Sequence, residues 1–310
     1  MAKANEIVGL DCTADATLRA AEVLRGRFEE VVNFRGAALG SDDIEAVHAM
    51  RVATRRLRSA LRDFAPLLKK RPLKKINEDL KNMADALGTA RDQDVAIAAL
   101  EKLQAKAEKA LVKEGIGKLI DERRARRTRT QLDLSEMLAV SVIKNLHEKF
   151  TAAIDEAAQK NNEANVVSFN QAGRVAVAAR LQEFCDLSVS LYKPFEVKKL
   201  HKLRISAKRL RYAVELFANC WGKKIAPFAK EIAEMQSFLG EIHDADIWIE
   251  DLSERLCRND ANEIQANLWL LSEFVKDRTK NYRGALEFWS KWKNDRFIER
   301  LRTAVLQTVS

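Results

Sequence analysis

The sequence predicts an all-α protein, and three observations carry that prediction. Only 11 Gly and 4 Pro are spread over 310 residues, whereas sheets and sandwiches need turn residues at short, regular intervals. Ala, Leu, Glu, Lys and Arg dominate, and these lose least on entering a helix. The chain also repeats itself. Val47-His-Ala-Met-Arg-Val-Ala-Thr-Arg-Arg-Leu-Arg58 returns as Leu200-His-Lys-Leu-Arg-Ile-Ser-Ala-Lys-Arg-Leu-Arg211, and Phe64 returns as Phe217, both at an offset of 153. Ala86-Leu-Gly-Thr-Ala-Arg-Asp-Gln-Asp-Val95 returns as Phe238-Leu-Gly-Glu-Ile-His-Asp-Ala-Asp-Ile247 at an offset of 152. Two blocks in the same order at nearly the same spacing mark an internal duplication.

Each half reads as about four helices. In the first half they fall near 14–36, 43–68, 73–91 and 93–128. Gly40-Ser41-Asp42-Asp43 supplies a stop followed by N-cap signals. Pro66 and Pro72 bracket the next break. Leu87-Gly88 marks a third, with Asp92 and Asp94 placed to cap the helix that follows. The polar stretch Gln159 to Asn165 is read as a linker. The second half repeats the scheme near 168–191, 195–219, 224–241 and 245–282, with Pro194 at a favoured first helical position. The region 130–158 and the tail after Trp289 are further helical pieces without a repeat partner. One domain over 1–310 is expected, with repeat one over about 1–158, a linker over about 159–167 and repeat two over about 168–310. The architecture expected is two four-helix bundles related by a pseudo-two-fold, their long helices lining a basic groove or pore.

The formal charge of +9 points to anionic partners: nucleic acid, polyphosphate, an anionic membrane surface or an acidic protein. Cys12, Cys185, Cys220 and Cys257 are scattered without a CxxC or a metal-ligand spacing, so a reducing compartment is the simplest inference. Met1 to Arg19 has no apolar core of the kind a signal peptide needs, and the longest apolar stretch, Met137 to Ile143, is too short to span a bilayer. These features predict a soluble, cytoplasmic protein.

On a helical wheel at 100° per residue, the first repeated block separates into two faces. Met50, Ala53, Leu57, Ala60, Leu61 and Phe64 form an apolar stripe, and His48, Arg51, Arg55, Arg58 and Arg62 form a nearly opposite cationic one. The second block does the same, with Leu203, Leu210, Ala213, Val214 and Phe217 against His201, Arg204, Lys208 and Arg211. Only Glu215, at the position of Arg62, departs from the basic pattern. Cations stacked on one helix face repel one another, and the first stripe has Asp63 nearby but no acid within it. The bland reading is a solvated basic face. The functional one is a polyanion lying along it, since Arg forks chelate phosphate oxygens and Lys adds point charge. His48 and His201 open the two stripes and read as phosphate contacts, with a structural hydrogen bond or a proton-transfer role as alternatives. Arg56 and Arg209 lie off the stripes, where the Asp-x-Asp segments could hold them, and they are kept with the candidate anion ligands. His147 has no counterpart.

Three function classes compete. Single-strand nucleic-acid binders interleave aromatics with cations, and only Tyr212 lies near either stripe. A phosphoryl-transfer or hydrolytic enzyme using His48 or His201 would need a positioned nucleophile or metal. The sequence holds no P-loop, no HExxH and no Gly-rich phosphate loop. A scaffold for an acidic protein is the third. Polyphosphate, which has charge without bases, suits the residues best, with no catalytic residue, metal or cofactor expected.

The His-x-x-Arg-Val/Ile-x-x-Arg/Lys-Arg-Leu-Arg blocks at 48–58 and 201–211 resemble the CHAD family (conserved histidine α-helical domain). So do the Leu-Gly-x-x-Arg/His-Asp-x-Asp blocks at 87–94 and 239–246. The resemblance covers nearly the whole chain. It implies a pseudo-symmetric pair of four-helix bundles around a basic groove or pore that binds inorganic polyphosphate, and an association with polyphosphate granules. It also implies a functional link to CYTH-type triphosphate enzymes, whose ExExK strand pattern is missing from this sequence. By resemblance His48, Arg51, Arg55, Arg58, His201, Arg204, Lys208 and Arg211 occupy the family's basic motif positions, and Glu215 breaks the strict equivalence of the halves.

Overall fold

The computed structural model describes residues 11–40, 44–159, 167–258 and 263–307. The N-cap signals at Ser41 to Asp43 and most of the linker lie outside them. Among the described residues the chain is all-α. The elements in order are α1 (Ala16–Asn33), α2 (Arg35–Leu39), α3 (Ile44–Phe64), α4 (Lys70–Lys106), α5 (Ala110–Met137) and α6 (Val140–Ala157). Then come α7 (Phe169–Leu187), α8 (Val197–Leu216), α9 (Ala226–Cys257), α10 (Ile264–Asn294) and α11 (Phe297–Leu306). Short 3-10 turns connect α7 to α8 and α8 to α9.

Two of the predicted breaks do not exist. α4 runs unbroken through Leu87-Gly88, and α9 runs unbroken through Leu239-Gly240. A lone glycine costs a helix only about 1 kcal/mol, and burial of Ile76, Leu80, Met83, Leu87 and Ala90 along one face of α4 outweighs that. The first real break comes instead at Ala107 to Lys109. Asp92, Asp94, Asp244 and Asp246 are therefore mid-helix residues and cap nothing. Pro72 sits inside the first turn of α4, where a missing N–H costs no hydrogen bond. Pro194 lies in the turn ahead of α8, not at its first position.

The chain forms two compact units, 1–100 with 120–172, and 101–119 with 173–310. In the first, α1 packs on α3 and α6. Asp15 caps α1 through its carboxylate, which accepts from the Thr17 and Leu18 amides. Phe28 stacks on Phe150 with centroids 4.3 Å apart. Ala16 N–H donates to the Val167 carbonyl and Phe169 N–H to that of Ala14, both at 2.9 Å, so the entries to α1 and α7 are tied together. In the second unit α9 lies between α8 and α10. Trp292 stacks on Phe297 at 3.9 Å and Trp248 on Phe274 at 5.0 Å. Gly284 lets α10 approach α9 closely, because a Cβ there would sit 2.6 Å from the Phe238 ring.

No described helix is long and apolar enough to cross a membrane. Cys185 and Cys257 are free thiols.

Candidate functional site

In the first unit α3 is buried almost all round. Val47, Met50, Ala53, Thr54, Arg56, Leu57, Ser59, Ala60, Leu61, Asp63 and Phe64 are all closed off from solvent. What stays half-exposed is the face carrying His48, Arg51, Arg55, Arg58 and Arg62. The stripe of the sequence is thus the accessible side of an otherwise enclosed helix. One Arg51 amine donates to Asp92 Oδ1 of α4 at 3.1 Å, and Arg51 Nε lies 3.7 Å from where a Gly88 Cβ would be. Arg91, also on α4, comes within 3.8 Å of Glu45. No carboxylate stands within ion-pair distance of Arg55 or Arg58 among the described residues. Burial depresses the His48 pKa, and Arg91, Arg51 and Arg55 add to this against Glu45, so the ring is held neutral. Its Nδ1 is buried without a hydrogen-bond partner.

The second unit places α8 and α9 likewise, with differences. His201, Arg204 and Lys208 are half-exposed. Arg204 faces Asp244 of α9 at 3.7 Å, as Arg51 faces Asp92. Where α4 has Arg91, α9 has His243, whose Nδ1 lies 3.1 Å from His201 Nδ1. Burial, then Arg204 and Lys208, lowers the His201 pKa. Burial, then Arg204, His201 and Lys208, lowers that of His243 to about 4. Arg211 is not on the accessible stripe. It is buried, donates from Nε to Gln236 Oε1 at 2.8 Å and from an amine to Glu215 Oε1 at 3.2 Å, and lies over the Tyr212 ring. The acid that broke the repeat pattern has drawn its i−4 neighbour inward.

Arg56 and Arg209 also face elsewhere. Arg56 is buried with Glu30 of α1, 3.9 Å away, and Glu30 also accepts from Arg27 at 2.9 Å. Arg209 pairs with Glu183 of α7, which also accepts from Arg180 at 3.1 Å. The Asp-x-Asp segments do not hold these arginines. Asp94 accepts from Arg127 of α5 at 2.7 Å and Asp246 from Arg278 of α10 at 2.5 Å, and Arg278 also reaches the Pro194 carbonyl. His147 pairs with Glu29 on α1 and belongs to the packing there.

Sequence reasoning therefore missed Arg91, His243 and four matched ion pairs. A signal was present. Arg27-x-x-Glu30 and Arg180-x-x-Glu183 stand 153 apart, the same offset as the two His blocks, and Arg127-Thr128 and Arg278-Thr279 stand 151 apart. Extending the repeat comparison beyond its most basic blocks finds all of them.

Both clusters present half-exposed cations and neutral imidazoles on rigid helices, and neither contains a nucleophile beside a base. Among the described residues no group of three or more His, Cys, Asp or Glu is placed to hold a metal ion.

The chain is 29% identical over 260 residues to the uncharacterized proteins Rv2226 and MT2285 of two Mycobacterium tuberculosis strains, H37Rv and CDC 1551. The match covers 81% of this chain and 48% of each relative, so the chain spans about half the length of those proteins. The fold is that of the CHAD domain from the plant Ricinus communis, with a TM-score of 0.72 at 20% identity over 98% of this chain and 96% of that one. PptA from Streptomyces chartreusis shares it, with a TM-score of 0.70 at 16% identity over 89% of this chain and 100% of that one. The CHAD domain family matches residues 20–253, and the chain belongs to that family.

Proposed function

We propose that this CHAD domain binds inorganic polyphosphate, each unit laying a run of phosphates along its own cationic helix face, and that it does so without chemical turnover. The family's general association with polyphosphate supports this reading. The observation that carries it is the exposure pattern of α3. A helix closed on every other side leaves open one face of four arginines and a histidine, two of those arginines without a carboxylate partner among the described residues. Four cations at i, i+4, i+7 and i+11 run roughly 16 Å along the helix and repel one another unless an anion of similar length lies beside them. A linear phosphate polymer meets that need, and binding of this kind would place the protein on polyphosphate granules.

Tyr212 is buried, so the one aromatic near the stripes offers no base-stacking platform, which weakens the nucleic-acid alternative. The test is a titration with long-chain polyphosphate at physiological salt, beside single-stranded DNA of matched charge and tripolyphosphate. Tight, length-dependent binding that prefers polyphosphate and weakens steeply with salt is expected. Equal binding of DNA, or no binding at all, sinks the proposal. Release of free phosphate during the titration would overturn its non-enzymatic part.

A further inference from the structure

We infer that His243 is a phosphate ligand of the second unit that is recruited by protonation, so that binding along α8 and α9 takes up a proton while binding along α3 and α4 does not. The inference rests on the polyphosphate reading above and locates its pH dependence.

The geometry is a pair of like nitrogens. His201 Nδ1 and His243 Nδ1 are 3.1 Å apart, the rings tilted at 44° with centroids 4.2 Å apart. Two imidazole nitrogens at that distance hold one proton between them, one ring donating N–H and the other accepting through its lone pair. A second proton on the accepting nitrogen removes the hydrogen bond, turns two N–H groups against each other and makes that ring a cation beside Arg204 and Lys208. Such a state needs an anion. The groups around the pair do not supply a spare one. From α8, Arg204 and Lys208 both oppose protonation. On α9, Asp244 already faces Arg204. Glu241 has its own pKa raised by desolvation and by Asp244 and Asp277, against Lys102 and Arg204. From α10, Arg278 is taken by Asp246. The empty pair is consequently neutral at pH 7, in keeping with the low His243 value.

A phosphate chain drawn in by Arg204 and Lys208 changes the balance. Its oxygens accept from both rings once the second proton arrives from solvent, and the pKa of the pair rises. In the first unit the matched position is Arg91, whose charge does not depend on pH. His48 there has no histidine neighbour with which to share a proton. One unit thus holds its phosphate with fixed charge and the other with conditional charge.

The experiment is calorimetric titration of long-chain polyphosphate at pH 6.0 and 8.0, in two buffers of different ionisation enthalpy. The proteins are the unmodified chain, His243→Arg, His243→Asn and His48→Ala, each checked for helix content. The unmodified protein should bind about tenfold tighter at pH 6.0, a difference of about 1.4 kcal/mol in binding free energy between the two pH values, with net proton uptake. His243→Arg should bind equally at both values and take up no proton. His243→Asn should also lose the uptake but stay at the weaker affinity, and His48→Ala should keep the uptake in full. Undiminished uptake in both His243 variants, or its loss in His48→Ala alone, overturns the inference and leaves the polyphosphate reading standing. Absence of binding by the unmodified protein at both pH values removes the reading itself.

Discussion

The stripe on α3 stays open along its length, from His48 to Arg62, whereas that on α8 ends early, because Glu215 replaces the last cation and Arg211 turns inward to meet it. Behind the stripes the order is similar: Arg56 and Glu30 are enclosed, while Arg209 and Glu183 are partly open. The same motif therefore yields a long accessible cationic face on a tightly closed helix in one unit, and a shorter one on a looser helix in the other. Motif identity fixes which helix faces are available, and the residues around the motif decide how much of each face reaches solvent.

The largest test of the contrast lies behind the stripes. Side-chain exposure of Arg56 and Glu30 is 9% and 4%, against 34% and 27% for Arg209 and Glu183. Glu30→Ala should cost about 3–5 kcal/mol, the usual penalty for breaking a buried pair. Glu183→Ala should cost about 1 kcal/mol or less, since water screens that pair. Urea denaturation of both variants checks this. Similar losses would mean that the two networks are energetically equivalent despite their burial.

A second test separates Arg58 from its repeat partner Arg211. Arg58→Ala should leave the urea midpoint within about 0.5 kcal/mol and weaken polyphosphate binding by roughly tenfold, the worth of one charge-assisted bond. Arg211→Ala should do the reverse, costing about 2 kcal/mol through its hydrogen bonds to Gln236 and Glu215, with little change in affinity. A loss of affinity in Arg211→Ala with unchanged stability would return Arg211 to the binding face.

The histidines predict a pH dependence of stability centred on the second unit. The folded pKa of His243 is about 4 and its ordinary value 6.5, so the fold favours the neutral ring. That contribution is fully present above about pH 6.5 and is lost as pH falls toward 4, because the unfolded chain binds the proton more readily. The denaturation midpoint of the ligand-free protein should drop over this window, and His243→Asn should flatten the drop. An equal drop in that variant would assign the acid sensitivity to other groups.

Much of this was legible in the sequence. The helical class, the repeat and the faces of α3 and α8 follow from composition and a 3.6-residue period, because an amphipathic helix writes its environment into its own sequence. What failed was of two kinds. Gly88 and Gly240 were read as helix ends, because local preference is all that a sequence displays and tertiary burial overrode it. Arg56 and Arg209 read as ligands because a wheel shows direction but not the acid on the facing helix, and Arg211 reads as one although its partner Glu215 stands one turn on in the same helix. Glu30 and Glu183 sit on α1 and α7, far from their partners in sequence. Arg91 and His243 were passed over since each looked like a helix junction, a consequence of the first error.

The smallest effect tests that first error directly, with the two units expected to agree. At Gly88 an added Cβ would meet Arg51 at 3.7 and 3.8 Å, and at Gly240 it would meet Arg204 at 3.8 Å, which is ordinary van der Waals contact. Neither position has the positive φ that would require glycine. Gly88→Ala and Gly240→Ala should each stabilise by about 0.5–1 kcal/mol, chiefly by restricting the unfolded chain. Destabilisation at either would mean that the helix needs local freedom there, as a true junction would. Stabilisation with weaker polyphosphate binding would give the glycines a different purpose. Each lies beside the guanidinium of the stripe arginine that faces Asp92 or Asp244, and a methyl group would narrow the space in which that side chain can swing from carboxylate to phosphate.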